Sequence, residues 1–386
     1  MSNPMLKIED PGIFTTVQDC GRYGFQRIGV PVSGALDQFA FRVANVLVGN
    51  DECAATLEMA VIGPTITFLD QAWISITGGD LSPALDGAPM PIWESTYVRE
   101  GSRLTFNGMK DGMRAYLAVA GGIDVPMVMG SRSTYLPGGF GGLEGRAVKQ
   151  GDKIGVLPLH SKKVPVRRRL PDGHRLPNYG NHHELRVILG PQHDLFTEDG
   201  INTFLGSVYT VSIDSDRMGY LLDGPSIGHK IGSDIVSDGN PMGSIQVSGD
   251  GVPTILLADR GTTGGYAKIA TVISADFSKV AQAVPGHRIT CNVIELDQAR
   301  EIREEQESMI TALSDGKGDI EGKSHVVSIT VNGTKYEVIG EDDKPLTVED
   351  PMSGSQALSA QNVRATVGDV TYDFIVDTDF NADSEA

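Results

Sequence analysis

Between Ala54 and Val119 the chain reads as one short apolar segment after another: ATLEMAV, PTITFL, AWISITGG, STYVRE, SRLTFNG and MRAYLAVAGG. Turn residues recur about every ten positions, a rhythm that predicts an all-β barrel or sandwich and disfavours alternating strand–helix units. A second stretch of the same kind runs from Glu184 to about Leu296. It contains ELRVILGP, a strand over Val208 to Asp214, SDRMGYLLDGP and MGSIQV. The 47 glycines and 20 prolines among 386 residues suit many turns and short strands better than long helices. The expected fold class is therefore mainly β.

Two segments break the rhythm. Asp37 to Val48 has apolar residues near helical spacing (Phe39, Val43, Val46, Leu47), follows a Ser-Gly-Ala-Leu lead-in and ends at Gly49-Asn50. Asn45 interrupts it, either as a ligand contact or, more commonly, as a group bonded to a neighbouring loop. An acidic helix is expected over about Asp297 to Leu313. Beyond it, VVSITVNGTKYEVIG reads as a hairpin turning at Asn332-Gly333, followed by strands near Val363 to Val367 and Thr371 to Val376. These segments give an N-terminal β domain over 1–160, a Pro-rich basic linker over 161–183 and a second β domain over 184–300. An acidic helix and linker over 301–323 follow, then a small β-rich extension over 324–386 with an acidic, disordered end.

The net charge of −18 argues against a nucleic-acid binder, which needs a basic stripe. From residue 301 onward 19 acids stand against 6 bases, so −13 of that charge lies in the tail and the body can accept an anionic substrate. Cys20, Cys53 and Cys291 are too few and too scattered for a disulfide framework or a cysteine zinc site. No leader is expected before Met5, and no apolar run reaches the ~20 residues of a membrane span. The expected location is the cytoplasm. His182, His183 and His193 lack the third ligand spacing that a metal site would need.

Polar residues concentrate in glycine-bearing loops. In ILLADRGTTGGYAKIATVI, Asp259 to Tyr266 places Asp259, Arg260, Thr262, Thr263 and Tyr266 among three glycines, between two apolar runs. Such a turn is either a capped hairpin or a ligand loop, since glycines let the backbone approach a ligand and present its N–H groups. GSRSTYLPGGFGGLEGRAVKQG places Arg132 beside Ser133 and Thr134. It lacks the Gly-Lys-Ser/Thr of a phosphate loop, and its GGFGG needs packing to stay ordered. Asp216-Arg217 precedes another tight glycine turn. Arg132, Arg217 and Arg260 are the candidate anion anchors. Gln18, Asp19, Asp37 and Gln246 are candidate polar contacts. No catalytic nucleophile or base is assigned. Because these loops occur in both halves, one site assembled between two β domains is predicted.

The stretches GIFTTVQDCGRYGFQRIGVPVSGALDQFAFRVANVLVGN, GSRSTYLPGGFGGLEGRAVKQGD, SDRMGYLLDGP and LLADRGTTGGYAKIATVI, in that order over residues 5 to 295, resemble one family. It is the family of the 5-oxoprolinase C subunit, also called the KipI antagonist or allophanate hydrolase subunit 2 family, with relatives in the carboxyltransferase part of urea carboxylase. The resemblance implies two cyclophilin-like β-barrel domains, a KipI-like B subunit as partner and a LamB/YcsF-like A subunit. It implies ATP-dependent opening of 5-oxoproline to glutamate, with ATP, and Mg2+ with it, shared with the B subunit. The alternatives it carries are a biotin-dependent urea or amide carboxyltransferase, and a non-catalytic KipI-binding antagonist. Where the family has Gln, this chain has Gly261. SITVNGTKYEV is similar to the strand before biotin-carrier domains, but no Met-Lys-Met follows, so biotin would not be attached to this chain.

Overall fold

The structure is a computed structural model that describes residues 3–158, 167–170, 177–316, 325–331, 334–340, 360–367 and 370–377. It divides into two compact units, Met1–Lys162 with Arg168–Gly318, and Lys163–Arg167 with Asp319–Ala386. The mainly β expectation holds throughout the first unit.

Its N-terminal half is two sheets. One orders the strands Ile123–Asp124, Lys153–Val156, Pro4–Asp10, Thr65–Phe68, Arg103–Phe106, Pro83–Leu85 and Ala88–Pro89. The other orders Phe14–Gln18, Thr56–Ala60, Asp111–Val119, Ala72–Asp80 and Ser95–Val98. Alternate side chains of a strand face opposite sides, and the inward sets, including Leu6, Ile8, Leu57, Ile66, Ile74, Leu104 and Leu117, form a single apolar core. Each such side chain contributes about 1.5–3 kcal/mol on leaving water.

The second half closes into a barrel ordered His182–Leu189, Lys268–Val272, Ser244–Val247, Pro253–Leu256, Gly219–Asp223, Tyr209–Val211 and Arg288–Val293, the last strand pairing parallel with the first. Closure removes the exposed edges that would invite wrong pairing. In the first strand His183, Leu185 and Val187 are buried while His182 and Glu184 are exposed, the alternation a barrel wall requires. Its opening residues His182 and His183 therefore belong to the barrel. Among the described residues no group of three or more His, Cys, Asp or Glu could hold a metal ion.

Among the described residues of this unit, four α-helices bridge or brace the two halves. α1 (Gln38–Leu47) is capped by Asp37, whose Oδ1 accepts from the Ala40 N–H at 3.0 Å. Asn45 donates to the Glu52 and Ala54 carbonyls and accepts from Asn50, so it is a loop tether. α2 (Glu198–Gly206) packs Phe204 into the barrel core and has no counterpart among the expected elements. α3 (Phe277–Gln282) is short. α4 (Leu296–Ser314), the expected acidic helix, returns to the N-terminal half, where Ile310 and Leu313 join the apolar cluster around α1 and Glu307 pairs with Arg42 at 2.7 Å.

Two sequence expectations need correction. Cys20 and Cys53 form a disulfide with a Cα–Cα distance of 5.1 Å, leaving Cys291 as the free, buried thiol. Thirty-three residues separate them in sequence, and only the return of the chain after α1 brings them together. Arg168, within the stretch expected as a Pro-rich basic linker, is buried and donates to the Val46 carbonyl.

In the second unit, His325–Val331 pairs antiparallel with Thr334–Gly340, and Ala360–Val367 with Val370–Asp377. The first pair was expected as a hairpin, and the two strands of the second were expected without their pairing. The turn pair Asn332-Gly333, and the acidic end after residue 377, lie outside the described residues. Among the described residues no helix is long and apolar enough to cross a membrane.

Candidate functional site

The two halves of the first unit meet along a buried polar seam. Arg217 extends from the barrel and donates from Nε to Asp259 at 2.9 Å, from Nη1 to Glu58, and from Nη2 to the Gly34 carbonyl at 2.6 Å. Burial alone would lower the guanidinium's proton affinity, but the Glu58 and Asp259 carboxylates outweigh it and raise the pKa. Glu58 Oε2 also accepts from Tyr116 Oη and the Leu36 N–H, both at 2.9 Å. Asp37 accepts from Ser278 Oγ at 2.7 Å and Gln282 Nε2 at 2.9 Å, while burial pushes its carboxyl above the usual range.

Gln282, at the end of α3, completes the seam. Its Oε1 accepts from the Met113 and Arg114 N–H groups at 2.8 Å, and its Nε2 donates to the Arg114 carbonyl at 2.9 Å. These backbone groups lie where the pairing of Asp111–Val119 with Ala72–Asp80 slips, so a side chain takes the place of a strand partner. Glycine makes the approach possible, since a Cβ on Gly112 would lie 2.8 Å from Gln282 Oε1 at a φ of +72°.

A second network joins the two N-terminal loops. Asp19 accepts from Ser131 Oγ at 2.7 Å, Ser133 Oγ at 2.5 Å and the Arg132 N–H at 2.5 Å. Arg132 Nε donates to the Val125 carbonyl, and Gln18 Nε2 to Thr16 and the Thr134 carbonyl. The GGFGG segment is ordered by packing, with the buried Arg22 guanidinium 4.9 Å from the Phe140 ring centre.

A cavity of about 480 Å³ opens between the loop carrying Gln26 and Val32 and the barrel face bearing Asn240, Ser244, Arg260 and Lys268. Lys268 and Ser244 are buried, and neither Lys268 Nζ nor Ser244 Oγ has a hydrogen-bond partner. Asp238 Oδ2 stands 3.7 Å from Lys268 Nζ, beyond the ~2.7–2.9 Å of a charge-assisted bond. Asp238 is held below the usual carboxylate range, first by the Gly239 N–H and then by the charge of Lys268. Arg260 donates to the Asn240 carbonyl at 2.6 Å and the Leu257 carbonyl at 2.9 Å, which fixes its guanidinium in the wall; burial lowers its pKa. A buried ammonium without acceptors costs several kcal/mol unless an anion or polar ligand meets it. The wall is thus chemically suited to a small anionic group with further hydrogen-bonding capacity.

Of the sequence candidates, Arg260 and Thr262 line this cavity. Gln246 stands behind it, bonded to Asn240 at 3.2 Å and to the Tyr266 carbonyl at 3.4 Å. Thr263 and Tyr266 lie on the strand Thr263–Tyr266, which forms an outlying two-stranded ribbon with Asp234–Gly239, so the polar turn is half ribbon. A Cβ on Gly264 would lie 2.6 Å from Gln246 Nε2 and 2.8 Å from Asn240 Nδ2, so a larger residue there would push both amide side chains aside. Arg217, Asp259 and Asp37 lie in the seam, and Gln18, Asp19 and Arg132 in the loop staple, bonded to protein groups. Lys268, Ser244, Asn240 and Asp238 also line the cavity and were not among the sequence candidates. The signal for Lys268 was a charge inside the apolar run AKIATVI, where burial of the strand face leaves a lysine no route to water.

The family model of the carboxyltransferase domain, subdomain A and B, matches residues 28–292, which include the seam and all of the cavity lining but Gln26. The chain belongs to the carboxyltransferase-domain family. It is 39% identical over 312 residues to the 5-oxoprolinase C subunit of Escherichia coli (strain K12), covering 80% of this chain and 98% of that protein. It is 35% identical over 329 residues to urea amidolyase of Saccharomyces cerevisiae, covering 81% of this chain but 18% of that protein. Among solved structures, TTHA0988 superposes with a TM-score of 0.68 at 33% identity, over 76% of this chain and 57% of that one. The Kluyveromyces lactis urea amidolyase superposes with a TM-score of 0.76 at 30% identity, over 96% of this chain and 22% of that one. The chain therefore spans little more than half of TTHA0988 and about a fifth of the amidolyase.

Proposed function

We propose that the chain is a subunit of an ATP-dependent 5-oxoprolinase, which opens 5-oxoproline with ATP and water to glutamate. It would act in the cytoplasm with a KipI-like B subunit and a LamB/YcsF-like A subunit. The observation that carries this reading is the buried Lys268 ammonium, which shares the cavity wall with Arg260 and has no hydrogen-bond partner, only Asp238 at 3.7 Å. 5-Oxoproline brings a carboxylate to such a wall, whereas urea is neutral. The near-complete overlap with a protein named as the C subunit of 5-oxoprolinase supports the same choice.

In this reading Lys268 and Arg260 hold the carboxylate, and Ser244 Oγ and the Asn240 side chain bond to the lactam amide. Val32 and Pro191 exclude water from one side. ATP, when bound, would activate the stable amide by phosphorylating its oxygen. Nucleotide and Mg2+ would be held at a site shared with the B subunit.

The second reading, a carboxyltransferase subunit that receives carboxybiotin from another chain, is favoured by the superposition on the K. lactis urea amidolyase. A carboxylated ring would also place its anionic group on Lys268. The test is reconstitution of the chain with its B and A partners. ATP hydrolysis dependent on 5-oxoproline is expected. No turnover with all three subunits present sinks the proposal, biotin-dependent carboxyl transfer establishes the second reading, and tight B-subunit binding without turnover leaves a binding antagonist.

A further inference from the structure

Asp238 is the acid in the cavity wall, and its placement differs from that of the other charged groups there. Its side chain is 57% exposed while that of Lys268 is 2% exposed. It sits on the ribbon strand Asp234–Gly239, outside the barrel, where the pairing with Thr263–Tyr266 slips between Asp234 and Asp238. One carboxylate oxygen accepts from the Gly239 N–H at 2.7 Å, the Gln192 side chain also supports the carboxylate, and the other oxygen faces Lys268 across 3.7 Å.

Resting on the assignment of an anionic ligand to this cavity, we infer that Asp238 is the resident counter-ion of Lys268 and that an incoming carboxylate displaces it. A buried ammonium requires a neutralising charge when no ligand supplies one. An exposed carboxylate can supply that charge and be released at little cost, because it regains water as it leaves. The gap between Asp238 and Lys268 is too long for a charge-assisted hydrogen bond, so all three ammonium donors remain for the ligand. Asp238 therefore opposes carboxylates by like charge and competition, and leaves uncharged ligands unaffected. It sets the affinity for anions without touching the reacting atoms.

The test is calorimetric titration of the full chain and its D238N variant at low ionic strength. The probes are L-5-oxoproline, the uncharged lactam pyrrolidin-2-one and acetate. D238N is expected to bind both carboxylates about two- to fivefold more tightly, the range of an exposed ion pair, with pyrrolidin-2-one unchanged. D238A should behave alike. Unchanged or weaker carboxylate binding, or an equal change for pyrrolidin-2-one, overturns the counter-ion role. If 5-oxoproline binds but neither carboxylate tightens, the counter-ion role fails and the 5-oxoproline reading stands. If acetate tightens while 5-oxoproline binds neither protein, the counter-ion role stands and the 5-oxoproline reading fails.

Discussion

Arg217 of the barrel and Glu58 of the five-stranded sheet form a buried ion pair, with side chains only 9% and 3% exposed, 159 residues apart in sequence. This pair, with Asp259 as a second carboxylate, ties the two β halves into one unit. Removing the arginine leaves two buried acids without their partner. Arg217→Met is expected to cost about 3–5 kcal/mol, read as a lower denaturant midpoint. A loss below about 1 kcal/mol would show that the seam is not what joins the halves. Replacement of the whole set by apolar residues of similar volume should recover much of the loss.

Lys268 is predicted to behave in the opposite way. Its ammonium has no hydrogen-bond partner within the protein, so Lys268→Met should leave the melting temperature unchanged or raise it, by up to about 1–4 kcal/mol of stability. Binding of 5-oxoproline and activity of the reconstituted complex should be lost. Retained activity in a stable Lys268→Met protein would remove the cavity from consideration as the site.

Arg260 is both wall and scaffold, since its donors hold the Asn240 and Leu257 carbonyls. Arg260→Ala should therefore weaken activity and also cost about 1–3 kcal/mol through the unpaired carbonyls. By contrast, Gly261→Gln should fold normally, because a Cβ there meets only the Thr263 carbonyl at 3.4 Å. Comparing the two melting curves and activities checks both statements.

The Cys20–Cys53 disulfide encloses the loop bearing Gln26 and Val32, which line the cavity, and also α1. Cys53 is exposed and reachable by a thiol reductant. Closing a loop of this size restricts the unfolded chain by about 3–4 kcal/mol. Cys53→Ser, or treatment with a dithiol, should lower the melting temperature accordingly; identical melting curves with and without reductant would contradict this.

His183 Nε2 lies 3.0 Å from His287 Nδ1, with the rings stacked. Burial, reinforced by the charge of His287, pushes His183 down to about 4; burial also lowers His287. In the unfolded chain a histidine titrates near ~6.5. Between those values the unfolded state holds more protons, so stability rises with pH there. The contribution is present in full above about 6.5 and is lost as pH falls toward about 4, on the order of 2–3 kcal/mol. Denaturant midpoints across that window should fall on acidification, and His183→Gln should flatten the slope.

Much of this architecture is local and was legible in the sequence. Strand alternation in ELRVILGP, the apolar spacing of α1 and the acidic run of α4 depend on neighbours a few residues away. Those patterns predicted the mainly β class and the main strands. α2 escaped because nine residues with a glycine near each end carry little period. The polar loops were harder. Arg132, Arg217 and Arg260 look alike in sequence, each an arginine near glycine, yet they stand in a loop staple, a buried seam and a cavity wall. The difference depends on which carboxylate or carbonyl from a distant strand reaches each guanidinium, and composition carries no record of that.

The sequence by itself determined the β rhythm, the extents of α1 and α4, the family resemblance and the presence of charge within glycine-bearing loops. Only the tertiary structure decided that Cys20 meets Cys53, that Arg217 and Asp259 belong to the seam, and that Lys268 is buried at a cavity with Asp238 as its distant partner. Periodicity and turn chemistry act over single turns and strands. The pairing of buried charges and thiols is settled when the barrel closes and the two halves dock, because burial then removes water as the alternative partner.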